Sequence, residues 1–354
     1  MCARIAEFVV SLLVSILRIS MRSKSTQEAM AQLATISEQT VRKIVTRQLA
    51  FDAVRAAFEA VAVDRSQVFD VVIGAGLNDG EAFAIKSGID GENEMVGFKC
   101  GTYWAGNNGK GLPAHGSTIL LLDPATGFPQ VLVNASYLNG YRTAAADAIA
   151  VSWLARADAT VLGVIGAGHQ AEQEIRAVAE VRALSLIKIF TRSETRAGWL
   201  ADRLQDVDTD IRFTSAEDAV RGSDIVVTVT PAESPLVRDE WVGEGTHISA
   251  MGADDYGKHE LDTAILQRAR LFADYPRQSI AIGEYQTAYG EGLIEPADDI
   301  CALGSVTLGK SPGRISATEI TVFDSSGIAV QDLAVAGAIF AAARQQGEVH
   351  YIDF

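Results

Sequence analysis

The sequence predicts an α/β protein: a doubly wound parallel sheet accompanied by a second, smaller domain. Three observations carry this. Residues 160–171, Thr-Val-Leu-Gly-Val-Ile-Gly-Ala-Gly-His-Gln-Ala, read as an apolar strand entering a glycine turn that opens a helix. From there to Ala273, short apolar runs alternate with helical stretches, the pattern of a parallel sheet with crossover helices. Upstream, from Phe69 to Asn134, short strands are separated by turn signals such as Asn78-Asp79-Gly80, Asp90-Gly91 and Ala125-Thr126-Gly127, which predicts a mostly antiparallel sheet.

Taken in order, residues 1–34 read as an N-terminal extension. Phe8 to Leu17 is apolar and follows Arg4, but Glu7 offsets the charge, no small-residue cleavage site follows, and the run is too short to span a bilayer. Met21 and Met30 offer alternative starts. Ser37-Glu38-Gln39-Thr40 is a helix entry leading into Val41 to Val45, and a second helix is predicted from Arg47 to Val63. The antiparallel strands are predicted at Phe69 to Ile73, Glu81 to Ile85, Met95 to Gly101, Ser117 to Asp123 and Gln130 to Asn134. An alanine-rich helix follows Tyr141. Parallel strands are predicted at Val161 to Ile165, Leu186 to Phe190, Ile225 to Val229, His247 to Ala250 and Arg270 to Ala273, and the tail is one strand, Ile320 to Asp324, and one helix, Ile328 to Gln345.

With 354 residues, 48% of them hydrophobic, the chain can bury a large core and form two domains. A net charge of −15 argues against nucleic-acid or anionic-membrane partners, which need a basic surface, so a small-molecule ligand is expected. Cys2, Cys100 and Cys301 are widely spaced, and neither they nor the five histidines form a metal-like cluster; a reducing, cytoplasmic setting without metal is expected.

In the glycine turn, Gly166 permits the tight bend, Gly168 lets backbone approach a pyrophosphate, and Ala171 allows close helix–strand packing. The free N–H groups of the helix start and its dipole compensate phosphate charge. Two glycines in a turn also arise for backbone reasons alone. The helix Ala171 to Val181 and the strand Leu186 to Phe190, which complete a unit of about 30 residues, favour dinucleotide binding. After that second strand, Thr191-Arg192-Ser193 stands where an acidic ribose ligand would indicate NAD; Arg192 favours NADP(H), with Glu194 nearby and a plain solvated arginine as the alternative. Thr230, after Thr228-Val229, would line the nicotinamide ribose, and Ser325-Ser326-Gly327 would close over the nicotinamide. Both are equally readable as ordinary strand-to-loop segments.

Lys99 lies in a strand between Phe98 and Cys100, so alternation sends its ammonium to the opposite face, toward solvent or a cleft. Arg142, in Gly140-Tyr141-Arg142-Thr143-Ala144-Ala145, is predicted at the start of a helix, where a guanidinium makes a bidentate carboxylate clamp.

Six ordered segments resemble the ornithine cyclodeaminase/mu-crystallin family between about Ser37 and Arg344: Lys99 with Gly111-Leu112-Pro113; Leu122-Asp123-Pro124-Ala125-Thr126-Gly127; Arg142-Thr143-Ala144-Ala145; Ile165-Gly166-Ala167-Gly168-His169-Gln170-Ala171; Met251-Gly252-Ala253-Asp254 with Gly257-Lys258-His259-Glu260-Leu261-Asp262; and Phe323-Asp324-Ser325-Ser326-Gly327-Ile328-Ala329. The resemblance implies a Rossmann nucleotide-binding domain, 149–319, inserted in an α+β substrate-binding and dimerisation domain made of 35–148 and 320–354, in a homodimer. It implies that Lys99 and Arg142 hold the substrate carboxylate and that Asp254 is the acid/base residue. The implied cofactor residues are Thr143, Gly166, Ala167, Gly168, His169, Gln170, Ala171, Thr191, Arg192, Ser193, Thr230, Met251, Gly252 and Ser326. An arginine that many members carry on the first strand is missing from Phe69-Asp70-Val71-Val72-Ile73, and Lys86 is the candidate to supply that charge. The Lys86 and Lys99 strands resemble the imine reductase branch, which includes an iminosuccinate reductase.

The leading expectation is an NAD(P)H-dependent reductase of a 2-imino acid, with Asp254 protonating nitrogen and Lys99 as a further catalytic candidate. A cyclodeaminase converting L-ornithine to L-proline and ammonia, an amino-acid dehydrogenase, or a crystallin-like binding protein stand as alternatives.

Overall fold

The computed structural model describes residues 32–294 and 296–354; the apolar run Phe8–Leu17 and the possible starts at Met21 and Met30 lie outside the described residues. Residues 32–34, read from sequence as extension, are in a strand. This strand, β1 (Gln32–Ile36), pairs parallel to β7 (Pro129–Asn134) and antiparallel to a C-terminal strand, β18 (His350–Asp353), that the sequence did not betray. The Ser37 side chain accepts the Thr40 N–H and starts α1 (Glu38–Ile44), as expected, and Thr46 caps α2 (Arg47–Val61) on Leu49 in the same way.

The remaining strands of this sheet are β2 (Gln67–Val68), β3 (Val72–Ala75), β4 (Glu81–Asp90), β5 (Met95–Trp104) and β6 (His115–Leu122), in the order β18-β1-β7-β6-β5-β4-β2, with β3 also on β4. The single strand expected over Phe69–Ile73 is not formed: residues 69–71 link β2 to β3, and only Val72 and Ile73 fall in a strand. Helices cover one face, where Ile119, Leu121, Val131 and Val133 are fully or nearly fully buried. The alternate residues Phe98, Leu120 and Leu132 are half-buried on the other face.

The second sheet is wholly parallel. It contains β8 (Val161–Ile165), β9 (Leu186–Phe190), β10 (Asp210–Phe213), β11 (Ile225–Thr228), β13 (His247–Ala250), β15 (Arg270–Ala273), β16 (Cys301–Ala302) and β17 (Thr321–Asp324), while β12 (Glu233–Val237) and β14 (His259–Leu261) pair separately. The order β10-β9-β8-β11-β13-β17-β15-β16 is a doubly wound sheet with one late strand inserted. That strand is β17, expected to lie with the terminal segments; it pairs with both β13 and β15 in the parallel sheet. Its four residues are all buried, which only a central strand covered on both faces requires.

Two helices are apolar on nearly every side and run through the middle. They are α3 (Ser136–Leu154), with Ala144, Ile149, Val151 and Leu154 fully buried, and the tail helix Ala329–Gln346, with Val330, Leu333, Val335 and Ile339 fully buried. Helix α4 (His169–Val181) follows β8 and packs on α3, and α5 (Glu194–Arg203) follows β9. The tail helix is α6. No helix among the described residues is long and apolar enough to cross a membrane.

Candidate active site

Lys86 and Lys99 are directly opposite each other on β4 and β5, so both ammonium groups project from the helix-covered face. Both are buried, at 6% and 5% exposure. Like charges in cross-strand register repel, and each is costly to bury; an anion must meet them. Part of the answer is Asp332, 1% exposed on α6, whose carboxylate sits 2.7 Å from Lys99 Nζ and 3.0 Å from Arg142 Nε. Asn139 Oδ1 accepts from both Lys99 Nζ (3.1 Å) and Arg142 Nη2 (2.8 Å). Lys86 Nζ has only a backbone carbonyl, Ser326 O at 2.6 Å, among the described residues.

Burial pushes the Lys99 ammonium down to about 7, helped by Arg142 and opposed by Asp332. Lys86 is lowered for the same reason, with Asp254 pulling the other way. Burial alone would raise Asp332, but Arg142 and Lys99 outweigh it and hold the carboxylate below its usual range. Among the described residues, Lys99 and Arg142 thus share the buried Asp332 carboxylate, while Lys86 has no ion pair and feels Asp254, Asp332 and Asp274 without contact, so a substrate carboxylate fits among these three cations.

Asp254, four residues beyond the end of β13, has a half-exposed side chain, and Lys258 Nζ lies 2.7 Å from its Oδ1. Desolvation pushes its pKa up, but Lys86, Lys258 and Arg142 prevail and hold it below the usual carboxylate range. The acid expected from sequence is thus an ionised carboxylate in this geometry. Among the cations of the cluster, Lys86 acts on it most strongly, and Asp254 in turn is the strongest anionic influence on Lys86.

Arg142 is not at a helix start. Helix α3 begins at Ser136, and Arg142 lies in its second turn, buried, with its guanidinium turned to Asp332 and Asn139. The partners Asn139 and Asp332 were missed. A signal existed for Asp332, an acidic residue in an otherwise alanine-rich apolar helix; Asn139 had none beyond lying three residues before Arg142.

The glycine turn has the expected geometry. Gly166 has φ +127°, and a Cβ there would lie 2.9 Å from Val229 O. Gly168 caps α4 with no side-chain hydrogen bond, and the space beside it is open, so the first N–H groups of the helix face a clear approach. These residues fit a dinucleotide pyrophosphate. Ala167 and Ala171 are buried behind the turn, and the His169 ring packs on Trp199 at 4.6 Å between centroids. Thr191 Oγ1 accepts from the Ser193 N–H, and Ser193 caps α5. Arg192 between them is exposed and has no hydrogen bond or ion pair among the described residues.

Several expected cofactor side chains are engaged elsewhere. Gln170 Nε2 donates to Glu174 Oε1 (2.6 Å) and Gly140 O (3.2 Å), and Thr143 Oγ1 donates to Asn139 O (2.9 Å). Met251 packs in the core. The Thr230 N–H and hydroxyl both donate to Glu260 Oε1 at 2.7 Å, and Gly252 N donates to Glu260 Oε2 at 3.0 Å. A Cβ at residue 252 would fall 2.2 Å from Thr230 O, so glycine is required where these loops meet. Burial raises Glu260 to about 7, against the hydrogen bonds it receives. The Ser326 hydroxyl accepts from Gln278 Nε2 (2.9 Å) and lies within reach of Asp274, whose carboxylate also accepts the Gly327 N–H at 2.7 Å. Ser326 therefore shapes the loop beside Lys86 through its backbone.

Residues 27–347 match the model of the ornithine cyclodeaminase/mu-crystallin family. The iminosuccinate reductase of Paracoccus denitrificans is 36% identical over 91% of this chain and 100% of its own. Its crystal structure with NAD+ superposes with a TM-score of 0.86. The alanine dehydrogenase of Archaeoglobus fulgidus is 35% identical over 86% of this chain and 93% of its own. The Thermococcus litoralis Δ1-pyrroline-2-carboxylate reductase, solved with NADH and L-proline, is 27% identical over 90% of this chain and 99% of its own, with a TM-score of 0.84.

Proposed function

Since the chain belongs to the ornithine cyclodeaminase/mu-crystallin family, we propose that it reduces a 2-imino acid to the 2-amino acid with a nicotinamide dinucleotide. It is an NAD(P)-dependent oxidoreductase of the class acting on CH–NH bonds. The observation that carries the reading is the buried cation surplus of Lys86, Lys99 and Arg142 over Asp332, with ionised Asp254 facing it. That arrangement takes a substrate that is anionic at one end and cationic at the reacting nitrogen. A protonated 2-imino acid is both.

The dinucleotide, held at Gly166–Ala171, supplies the hydride. The chain's own residues do the rest. Lys99 and Arg142 bind the α-carboxylate, with Asn139 and Asp332 fixing their head groups. Asp254 holds the iminium N–H, keeping the carbon electrophilic, and Lys258 positions that carboxylate. Lys86, whose one contact among the described residues is the Ser326 carbonyl, can take a second anionic group, which favours a 2-imino dicarboxylate such as the substrate named for the Paracoccus relative. Arg192, free beside the helix α5 cap, favours a 2′-phosphate and so NADPH. The half-buried apolar face bearing Phe98, Leu120 and Leu132 is the face on which we place a second copy of the chain.

The test is a panel of 2-oxo acids, oxaloacetate and pyruvate among them, each with ammonia or methylamine, while NADH or NADPH absorbance is followed. Stoichiometric cofactor consumption with at least one acid is expected. Ammonia release from L-ornithine without net cofactor change, and no imine reduction, would overturn the reading in favour of a cyclodeaminase.

A further inference from the structure

Helix α3 carries Asn139 and Arg142 of the substrate site, and α4 opens at the dinucleotide turn. Where the two helices pack, Asp147 on α3 and Glu174 on α4 are both completely buried. Neither forms an ion pair among the described residues, and both Asp147 oxygens and Glu174 Oε2 lack a donor. Glu174 Oε1 is satisfied by Gln170 Nε2. The oxygens left over face one another, with the Ser249 hydroxyl of β13 beside Asp147. Two ionised carboxylates cannot occupy such a place; one proton between them makes one a donor and the other an acceptor and removes the unmet demand.

We propose that Asp147 and Glu174 share one proton, and that this hydrogen bond fixes the substrate helix against the dinucleotide helix. The pair is a positioning device: it sets the pyrophosphate anchor at Gly168 relative to the carboxylate clamp at Arg142, and so the bound nicotinamide relative to the imine carbon that receives its hydride. The inference rests on reading α4 as the dinucleotide helix.

The surrounding charges agree with a proton held at neutral pH. Burial pushes Asp147 up to about 6 and Glu174 well above its ordinary value, and Asp147 raises Glu174 further. On α3, Arg142 is the nearest cation, and it pulls Glu174 the other way. On β13, His247 hydrogen-bonds Ser249 at 3.1 Å and Thr321 of β17 at 2.9 Å. Burial, with Arg314 and Arg182 beyond it, lowers His247 to about 3, so it is neutral and adds no charge.

NADH binding to the full chain, followed by nucleotide fluorescence from pH 6 to 10, tests this in wild type, Glu174→Gln and Asp147→Asn. An amide in either position donates to the remaining carboxylate without needing a proton. Wild-type affinity is expected to hold through neutral pH and then fall, approaching tenfold per pH unit once the shared proton leaves. Both amide variants should bind NADH at neutral pH and lose that alkaline fall. A flat wild-type profile, or the same fall in both variants, overturns the proposal. Melting temperatures over the same range give an independent readout. A carboxyl raised in the folded state loses stabilisation as pH rises through its folded pKa, so wild type should lose more than Glu174→Gln. If no dinucleotide binds at any pH, the functional reading fails, while the melting curves still decide whether the proton is shared.

Discussion

At Asp254 the charge environment decides between two chemical roles. An acid that donates during hydride addition needs a pKa near the working pH, but here Lys86, Lys258 and Arg142 keep the carboxylate ionised. An ionised group suits an iminium that arrives protonated. Asp254→Asn, which keeps shape but not charge, should bind dinucleotide normally and lose about 10²–10³-fold in turnover, the range usual for removing one group that holds the reacting centre electrostatically; near-native turnover would remove Asp254 from the chemistry. Arg142→Ala should act mainly through KM, because it deletes half of the carboxylate clamp. The pH profile belongs to Lys99. Its ammonium is pushed down to about 7, so it is charged below that pH and neutral above it. The free enzyme should therefore lose kcat/KM as pH rises past about 7, with no acid limb in the ordinary carboxylate range, since Asp254 and Asp332 both titrate below it. Lys99→Arg stays charged and should lose the limb near 7; a limb that persists in this variant comes from another group.

Among the elements, the turn after β9 and the loops after β11 and β13 carry the residues proposed to meet the dinucleotide. Arg192 is held between a turn made by Thr191 and a helix capped by Ser193, with no partner of its own among the described residues. Arg192→Ala should lower the kcat/KM ratio of NADPH to NADH by about tenfold or more, one charge-assisted contact being worth about 1.5–3 kcal/mol; an unchanged ratio means that Arg192 does not read the phosphate. The strands and the glycine turn were legible because each follows from local chemistry: period-two alternation for β4 to β7, and a positive φ at Gly166 that only glycine takes easily. The start of α3 was not. Ser136-Tyr137-Leu138-Asn139-Gly140 contains Gly140, which reads as a breaker, yet tight packing on α4 overrides its poor helix propensity. Equally hidden were Asp332 and Glu260, whose partners lie on other elements: no spacing along the chain brings α6 to Lys99, or β14 to Thr230.

At the scale of the molecule, the first sheet is covered by the described residues on one side only. The tail helix, α1 and α3 pack on the face of Lys86, Lys99, Ile119 and Val131, with α2 packed over the tail helix and α3, while Phe83, Ile85, Phe98, Leu120 and Leu132 on the other face are only half-buried. Half-covered aromatic and leucine side chains in adjacent register, Phe98 beside Leu120 and Leu120 beside Leu132, form a continuous apolar strip rather than scattered exposure. With a net charge of −15, two copies would repel at long range, so association must come from apolar burial and should strengthen with added salt. Sedimentation at micromolar concentration is expected to give a dimer. Leu120→Arg places a charge in the middle of the strip and should yield monomers, while Lys99, whose neighbours in the core point the other way, keeps its surroundings. An active monomer in wild type would refute the arrangement, and a Leu120→Arg protein that stays dimeric would move the interface to another face.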